Sequence, residues 1–278
     1  MAGFAPQRSI PKLHKTTLRK WYKKHYAKIT PQKPKGKVYL FCDEFTDFND
    51  TDIGILTIKL LTKLGYEVQM PAHQESGRTY LSKGLLRKAK TIAEQNIRLF
   101  KDLISEETPL VGIEPSAILT FRDEYLDLSR GELKQAAQTL AQQAFTIEEF
   151  LAREIDAGKI DAVAFTQEKK VLKLHGHCQQ KALSSLTPSK KMLSLPPNYE
   201  VHLIRSGCCG MAGSFGYEKE HYEVSMQIGE LVLFPTVRQQ PEEVLIVAAG
   251  TSCRHQIKDG TQRKALHPVE VWWEALKK

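Results

Sequence analysis

The chain has 278 residues, 41% hydrophobic and 26% charged, the balance of a globular protein with room for one large domain or two ordinary ones. No apolar run approaches the ~20 residues of a membrane helix, and five cysteines, one necessarily odd, argue against a secreted disulfide scaffold. The net charge of +8 is uneven: residues 1–37 carry 11 Lys/Arg and no Asp/Glu, giving +11, while the remaining 241 residues carry 29 against 32, giving −3.

Residues 1–37 therefore form a basic arm, with a short helix expected from about Thr16 to Tyr26 and a Pro/Lys linker after it. Such charge suits a nucleic-acid or anionic-membrane tail or a transit-like peptide. Thin aromatic interleaving and the absence of acidic residues favour a solvated connector that buries little. No nucleic-acid partner is expected, and at most peripheral membrane association. The lack of a signal-peptide core, with thiols in place of disulfides, predicts a cytoplasmic protein.

After Lys37, short β-branched runs alternate with longer amphipathic stretches. Strands are expected at 38–41, 67–70, 109–113, 161–165, 171–175, 200–204 and 243–249. Helices are expected at 52–65, 84–104, 133–155, 221–237 and 269–278. This alternation predicts an α/β fold with mainly parallel sheets. An internal repeat divides it. VYLFCDEF aligns with VLKLHGHC, putting Cys42 near Cys178; Glu75-Ser76-Gly77 falls under Cys208-Cys209-Gly210; Ala117 falls under Cys253. The offsets of 136, 133 and 136 residues agree. The reading is two homologous halves, 38–168 and 169–278, each a small sheet flanked by helices, with only the second retaining its cysteines.

Cys178, Cys208, Cys209 and Cys253 each follow a predicted strand. Ligands of open α/β sheets gather at the carboxyl ends of strands, so four thiols are expected at one spot. A vicinal pair seldom closes a disulfide, and here it offers two ligands from one turn, with Gly207, Gly210 and Gly213 allowing a tight bend. Four thiolates suit zinc or an iron–sulfur cluster. The absence of short CxxC knuckles favours the cluster, whose ligands can come from well-separated loops. His175, His177, Arg254 and His255 flank these thiols and could tune a cluster or pack behind it. Cys42 is read as an inert core thiol. In the first half Glu75, Arg78, Glu114 and Arg122 either line a polar crevice or form buried ion pairs.

HGHCQQKAL, GCCGMAGSFGYEKEHYEVSMQIGE and GTSCRHQI resemble the cysteine-rich CCG domain found in heterodisulfide reductases and in glycolate oxidase-type iron–sulfur proteins. With FCDEFTDFNDTDIG, ESGRTYLSKGLLRKAK and GIEPSAILTFRDEY, the chain is similar over about residues 38–260 to the C-terminal region of fused flavin/iron–sulfur oxidoreductases of the D-2-hydroxyglutarate or D-lactate dehydrogenase type. The resemblance implies one 4Fe–4S cluster on Cys178, Cys208, Cys209 and Cys253. FAD would sit only on a partner oxidase domain or subunit, beside a ferredoxin-like iron–sulfur domain, and electrons would pass toward a quinone or another acceptor. One departure bears on cluster type: Gly250 stands where the heterodisulfide reductase pattern has a further cysteine. The expectation is an electron-transfer module, not a complete enzyme, of a flavin-linked 2-hydroxy-acid dehydrogenase. The rival is a non-catalytic assembly or binding module with structural zinc or no metal.

Overall fold

The computed structural model describes residues 3–277 and contains two four-stranded parallel sheets flanked by helices. This is the α/β architecture with two similar halves expected from the repeat. Residues 13–150 make one compact unit, and the described residues before and after that span make the other.

In the first unit β1 (Gly36–Phe41), β2 (Tyr66–Gln69), β3 (Leu110–Gly112) and β4 (Ala144–Thr146) lie in the order β2-β1-β3-β4. Val38 pairs with Val68, and Phe41 with Gly112. The helices Thr51–Lys63 and Leu86–Phe100 flank the sheet, whose core is carried by buried Val38, Leu40, Phe41, Val68, Leu110 and Val111. Phe41, Phe100 and Phe121 meet edge to face at centroid distances of 5.1–6.2 Å.

In the second unit β5 (Lys170–His175), β6 (Tyr199–Leu203), β7 (Leu245–Ala248) and β8 (Ala265–Leu266) take the order β6-β5-β7-β8. His175 pairs with Ala248 as Phe41 pairs with Gly112. Strand order, direction and register thus repeat. Phe234, Val237, Ile246 and Ile257 form the core on one side of this sheet.

Several expected elements differ. Residues 161–165 are not a strand: the Asp161 carboxylate accepts from Val163 N at 2.8 Å and winds a 3-10 turn, leaving Val163 70% exposed. The expected helix 133–155 is split, because the helix Glu132–Gln143 stops where Ala144 turns extended into β4; three residues are too short to show a strand's period. The helix at 221–237 breaks at Val232, so that Pro235 falls in the first turn of Leu233–Arg238, where its missing N–H is tolerated. The final helix is Pro268–Ala275, capped by His267 with Glu270; residue 278, in the expected helix, lies outside the described residues.

The arm also differs from the solvated connector expected. Leu18, in the helix Leu18–His25, is fully buried, and Tyr26 nearly so. Tyr22 donates to Val68 O and Tyr26 accepts from Val68 N, which ties the arm to β2. Farther upstream, Arg8 is buried, with Nε on Gly216 O at 2.6 Å, Nη2 on Ser225 Oγ at 2.7 Å and Nη1 on Asp259 at 3.3 Å. A cation with three fixed acceptors is held, not solvated. The few apolar residues of the arm do the burying, and composition hid them among lysines.

Candidate metal centre

β6, β5 and β7 are adjacent and parallel, so their carboxyl ends open onto one place. From β5 the chain passes through Gly176 to His177, whose ring caps the helix Cys178–Leu183 by accepting from Gln179 N. From β6 it enters the turn holding Cys208 and Cys209. Gly210 has φ +101°, and a Cβ there would lie 2.2 Å from Ser225 O, so only glycine fits this bend. From β7, Gly250 opens the helix Thr251–Thr261, with Cys253 as its third residue. A Cβ at Gly250 would lie 2.4 Å from His177 Cδ2. The place of a further cysteine is thus filled by the His177 ring.

The four thiols form a chain of neighbours, of which only Cys209 and Cys253 fall in one compact group of candidate ligand atoms. Cys178 shares a hydrogen bond with Cys208, Cys208 with Cys209, and Cys209 with Cys253. A ring nitrogen of His175 and the Sγ atoms of Cys209 and Cys253 lie within 4.8 Å of one another. Hydrogen bonds received from Cys178 and Cys209 hold the Cys208 thiol well below its ordinary value, and the one from Cys209 does the same for Cys253. As the donors, and through burial, Cys178 and Cys209 are pushed up. Gly210 N also donates to Cys208 Sγ at 3.3 Å. Cys209 and Cys253 are buried, while Cys178 and Cys208 are partly open.

This donor set fits a thiolate-bound metal centre. Four soft sulfurs converge from three strand ends, a glycine turn leaves backbone N–H groups free for sulfur, and no disulfide joins the cysteines.

Of the flanking residues, His175 is buried with Nδ1 2.8 Å from Ser206 Oγ. Arg254 pins the end of β7 through Ala248 O, Ala249 O and Thr251 Oγ1. His255 packs edge-on to Tyr217 at 6.5 Å. Lys181, one turn after Cys178, donates to Ser206 O at 3.0 Å and Gly207 O at 2.7 Å, fixing the turn before the vicinal pair. Sequence reasoning misses Lys181 and Ser206; the only signal is their place, three residues after one cysteine and two before another.

In the first unit the register refines the repeat. Phe41 corresponds to His175, so Asp43 corresponds to His177 and Glu44, not Cys42, to Cys178; Asp43 and His177 each cap the helix that follows. Glu44 takes the place of a thiol, bonded to Ser76 N at 2.9 Å and Ser76 Oγ at 2.7 Å. Cys42 is buried, which pushes its thiol up, and its N–H donates to His73. Glu114 accepts from Ser116 N and Oγ; Arg78 binds Ser116 O and Glu124; Arg122 grips Glu149 through both terminal nitrogens at 2.7–2.8 Å; Glu75 O accepts from Asn96. These contacts are internal to that unit.

No protein-family model matches the chain. It is similar to a subunit of the anaerobic glycerol-3-phosphate dehydrogenase of Escherichia coli (strain K12), 25% identical over 272 residues, covering 97% of this chain and 66% of that protein. It is similar to D-2-hydroxyglutarate dehydrogenase of Pantoea ananatis (strain AJ13355), 27% identical over 241 residues, covering 86% of this chain and 22% of that one. Lactate utilization protein A of Macrococcus caseolyticus (strain JCSC5402) is 27% identical over 250 residues, covering 84% of this chain and 95% of that protein. The chain thus spans just under two thirds of the first relative's length and about a fifth of the second's. Among the described residues, no helix is long and apolar enough to cross a membrane.

Proposed function

We propose that the protein is an iron–sulfur electron-transfer module of a flavin-linked dehydrogenase acting on a small 2-hydroxy acid or a comparable hydroxylated substrate. Cys178, Cys208, Cys209 and Cys253 would hold one 4Fe–4S cluster. The observation that carries this is a chain of four neighbouring free thiols beyond the ends of three adjacent parallel strands. The relatives support the class: two are dehydrogenases or part of one by name, and the third is a lactate utilization protein. The division into an arm, 1–37, and two repeats, 38–168 and 169–278, belongs to this reading; the matching strand orders support the two repeats, while the compact units are 13–150 and the described residues on either side.

When bound, the cluster supplies one-electron storage. The cysteines would hold it, with buried Cys209 and Cys253 on the shielded side and partly open Cys178 and Cys208 toward partners. FAD belongs to a partner oxidase domain or subunit, with a ferredoxin-like iron–sulfur domain beside it and a quinone or other acceptor beyond. Reduced thiols suit a cytoplasmic setting.

A second reading is a structural zinc site, and the compact His175, Cys209 and Cys253 group favours it because zinc accepts mixed imidazole and thiolate ligands. Metal and sulfide analysis of anaerobically purified protein separates the two. Brown protein with iron and sulfide, bleaching near 400 nm on reduction, is expected; colourless protein with stoichiometric zinc would replace this reading with the second.

A further inference from the structure

His175 ends β5 where Phe41 ends β1, so a polar ring replaces an apolar one at a strand end that is 1% exposed. A buried imidazole is costly unless its nitrogens are used. Nδ1 is used, 2.8 Å from Ser206 Oγ. Nε2 is buried and has no hydrogen-bond partner among the protein's nitrogen and oxygen atoms. What the ring faces is sulfur: the Sγ atoms of Cys209 and Cys253, within the 4.8 Å group. The other flanking residues are engaged elsewhere, His177 as a helix cap, Arg254 on backbone carbonyls and His255 against Tyr217.

Resting on the cluster reading, the count of donors decides the role. Four thiolates serve the four irons, so a fifth ligand has no iron to take. We infer that His175 is a hydrogen-bond donor, through Nε2, to sulfur on the Cys209–Cys253 side of the bound cluster. Ser206 is its positioning residue: the hydroxyl donates to Nδ1 and leaves the ring proton on Nε2. An electron entering the cluster adds negative charge to sulfur, which strengthens the bond without moving the proton off the ring. The donor therefore favours the reduced state and raises the midpoint potential.

The test uses the full chain, purified or reconstituted anaerobically with ferrous iron and sulfide. Iron per chain and the midpoint potential are measured for wild type, His175→Phe, His175→Gln and Ser206→Ala. His175→Phe installs the residue found at the equivalent strand end, and is expected to keep its iron and shift the midpoint to more negative potential. His175→Gln, which retains an N–H, should recover part of the shift, and Ser206→Ala should show a smaller shift of the same sign. An unchanged midpoint in His175→Phe overturns the inference. So does loss of iron from both His175 variants, since the ring would then be a ligand or a structural prop. Wild-type protein that takes up no iron overturns the cluster reading and this inference together, so the two failures are distinguishable.

Discussion

Two sheets with one strand order end in opposite chemistry. Where the second unit offers Cys178, Cys208, Cys209 and Cys253, the first offers Glu44, Glu75, Ser76 and Ala117 at the corresponding positions. Glu44 and Ser76 satisfy each other, carboxylate to hydroxyl and amide, and the Ala117 side chain has no polar atom. The thiols of the second unit instead have one another for side-chain partners, with the Gly210 N–H on Cys208 and the His175 ring beside Cys209 and Cys253. Backbone topology thus builds the same junction twice, and side-chain self-sufficiency decides whether it closes on itself or remains a set of free thiols. The same contrast holds at the histidines. His73 in the first unit stacks on Phe41 at 4.4 Å, whereas His175 in the second takes the position of Phe41 itself.

The largest effect expected separates the halves outright. Replacing Cys178, Cys208, Cys209 or Cys253 by Ser should remove most bound iron, because a hydroxyl is a poor ligand for such iron. Cys42→Ser and Ser76→Ala should leave iron per chain unchanged. Retention of iron in all four of the first set would end the claim that the units differ in this way.

A comparison of glycines sharpens it. Gly210 and Gly77 are equivalent and both have positive φ, +101° and +77°. Around Gly77 a Cβ would meet nothing closer than 3.5 Å, whereas at Gly210 it would be 2.2 Å from a backbone carbonyl. Gly77→Ala should cost about 1 kcal/mol, for conformation alone. Gly210→Ala should cost roughly 3 kcal/mol or more and loosen the cysteine turn. Denaturant unfolding checks both, and equal losses would mean that the two turns are built alike.

The arm tests each unit in turn. Leu18→Ala, in the first, should lose about 2–4 kcal/mol by leaving a void beside Gly54, whose missing Cβ makes room for the leucine. Arg8→Ala, in the second, should lose about 1–3 kcal/mol through stranded acceptors at Ser225 and Gly216. Removal of residues 1–34 without loss of melting temperature would contradict both.

A further effect is one of pH. Burial, with Glu44 and Glu114 nearby, pushes Asp43 from 3.8 up to about 8. The folded chain then binds a proton more tightly than the unfolded one. That stabilisation is fully present below about pH 4 and fades as pH rises through about 8. Asp43→Asn keeps an oxygen for the cap and should flatten the decline in melting temperature between pH 5 and 9. Parallel curves for the two proteins would show that Asp43 does not titrate there. The second unit, with His177 at this place, has no such buried acid.

Much of this was legible in the chain. Strands rich in Val, Ile and Leu announce themselves, and three landmarks at offsets of 133 to 136 residues revealed the repeat. What escaped was short or conditional. β4 and β8 have three and two residues, too few for a period, and exist because a neighbouring strand offers them hydrogen bonds. Asp161 made DAVAF a turn through one side-chain bond that no hydropathy pattern registers. The equivalence of Glu44 with Cys178 needed the register, since a sequence alignment naturally sets cysteine against cysteine. His175 was visible as a flanking residue, but its orphaned nitrogen was not.

The contact between Gly250 and His177 imposes an order on change. Cysteine at 250 would collide with the ring at 2.4 Å, and loss of the ring alone would uncap the helix that begins with Cys178. Each step is harmful alone, and only the pair together opens room for a fifth sulfur. The two positions are epistatic, and the valley between them keeps descendants of this chain at four cysteines in this group.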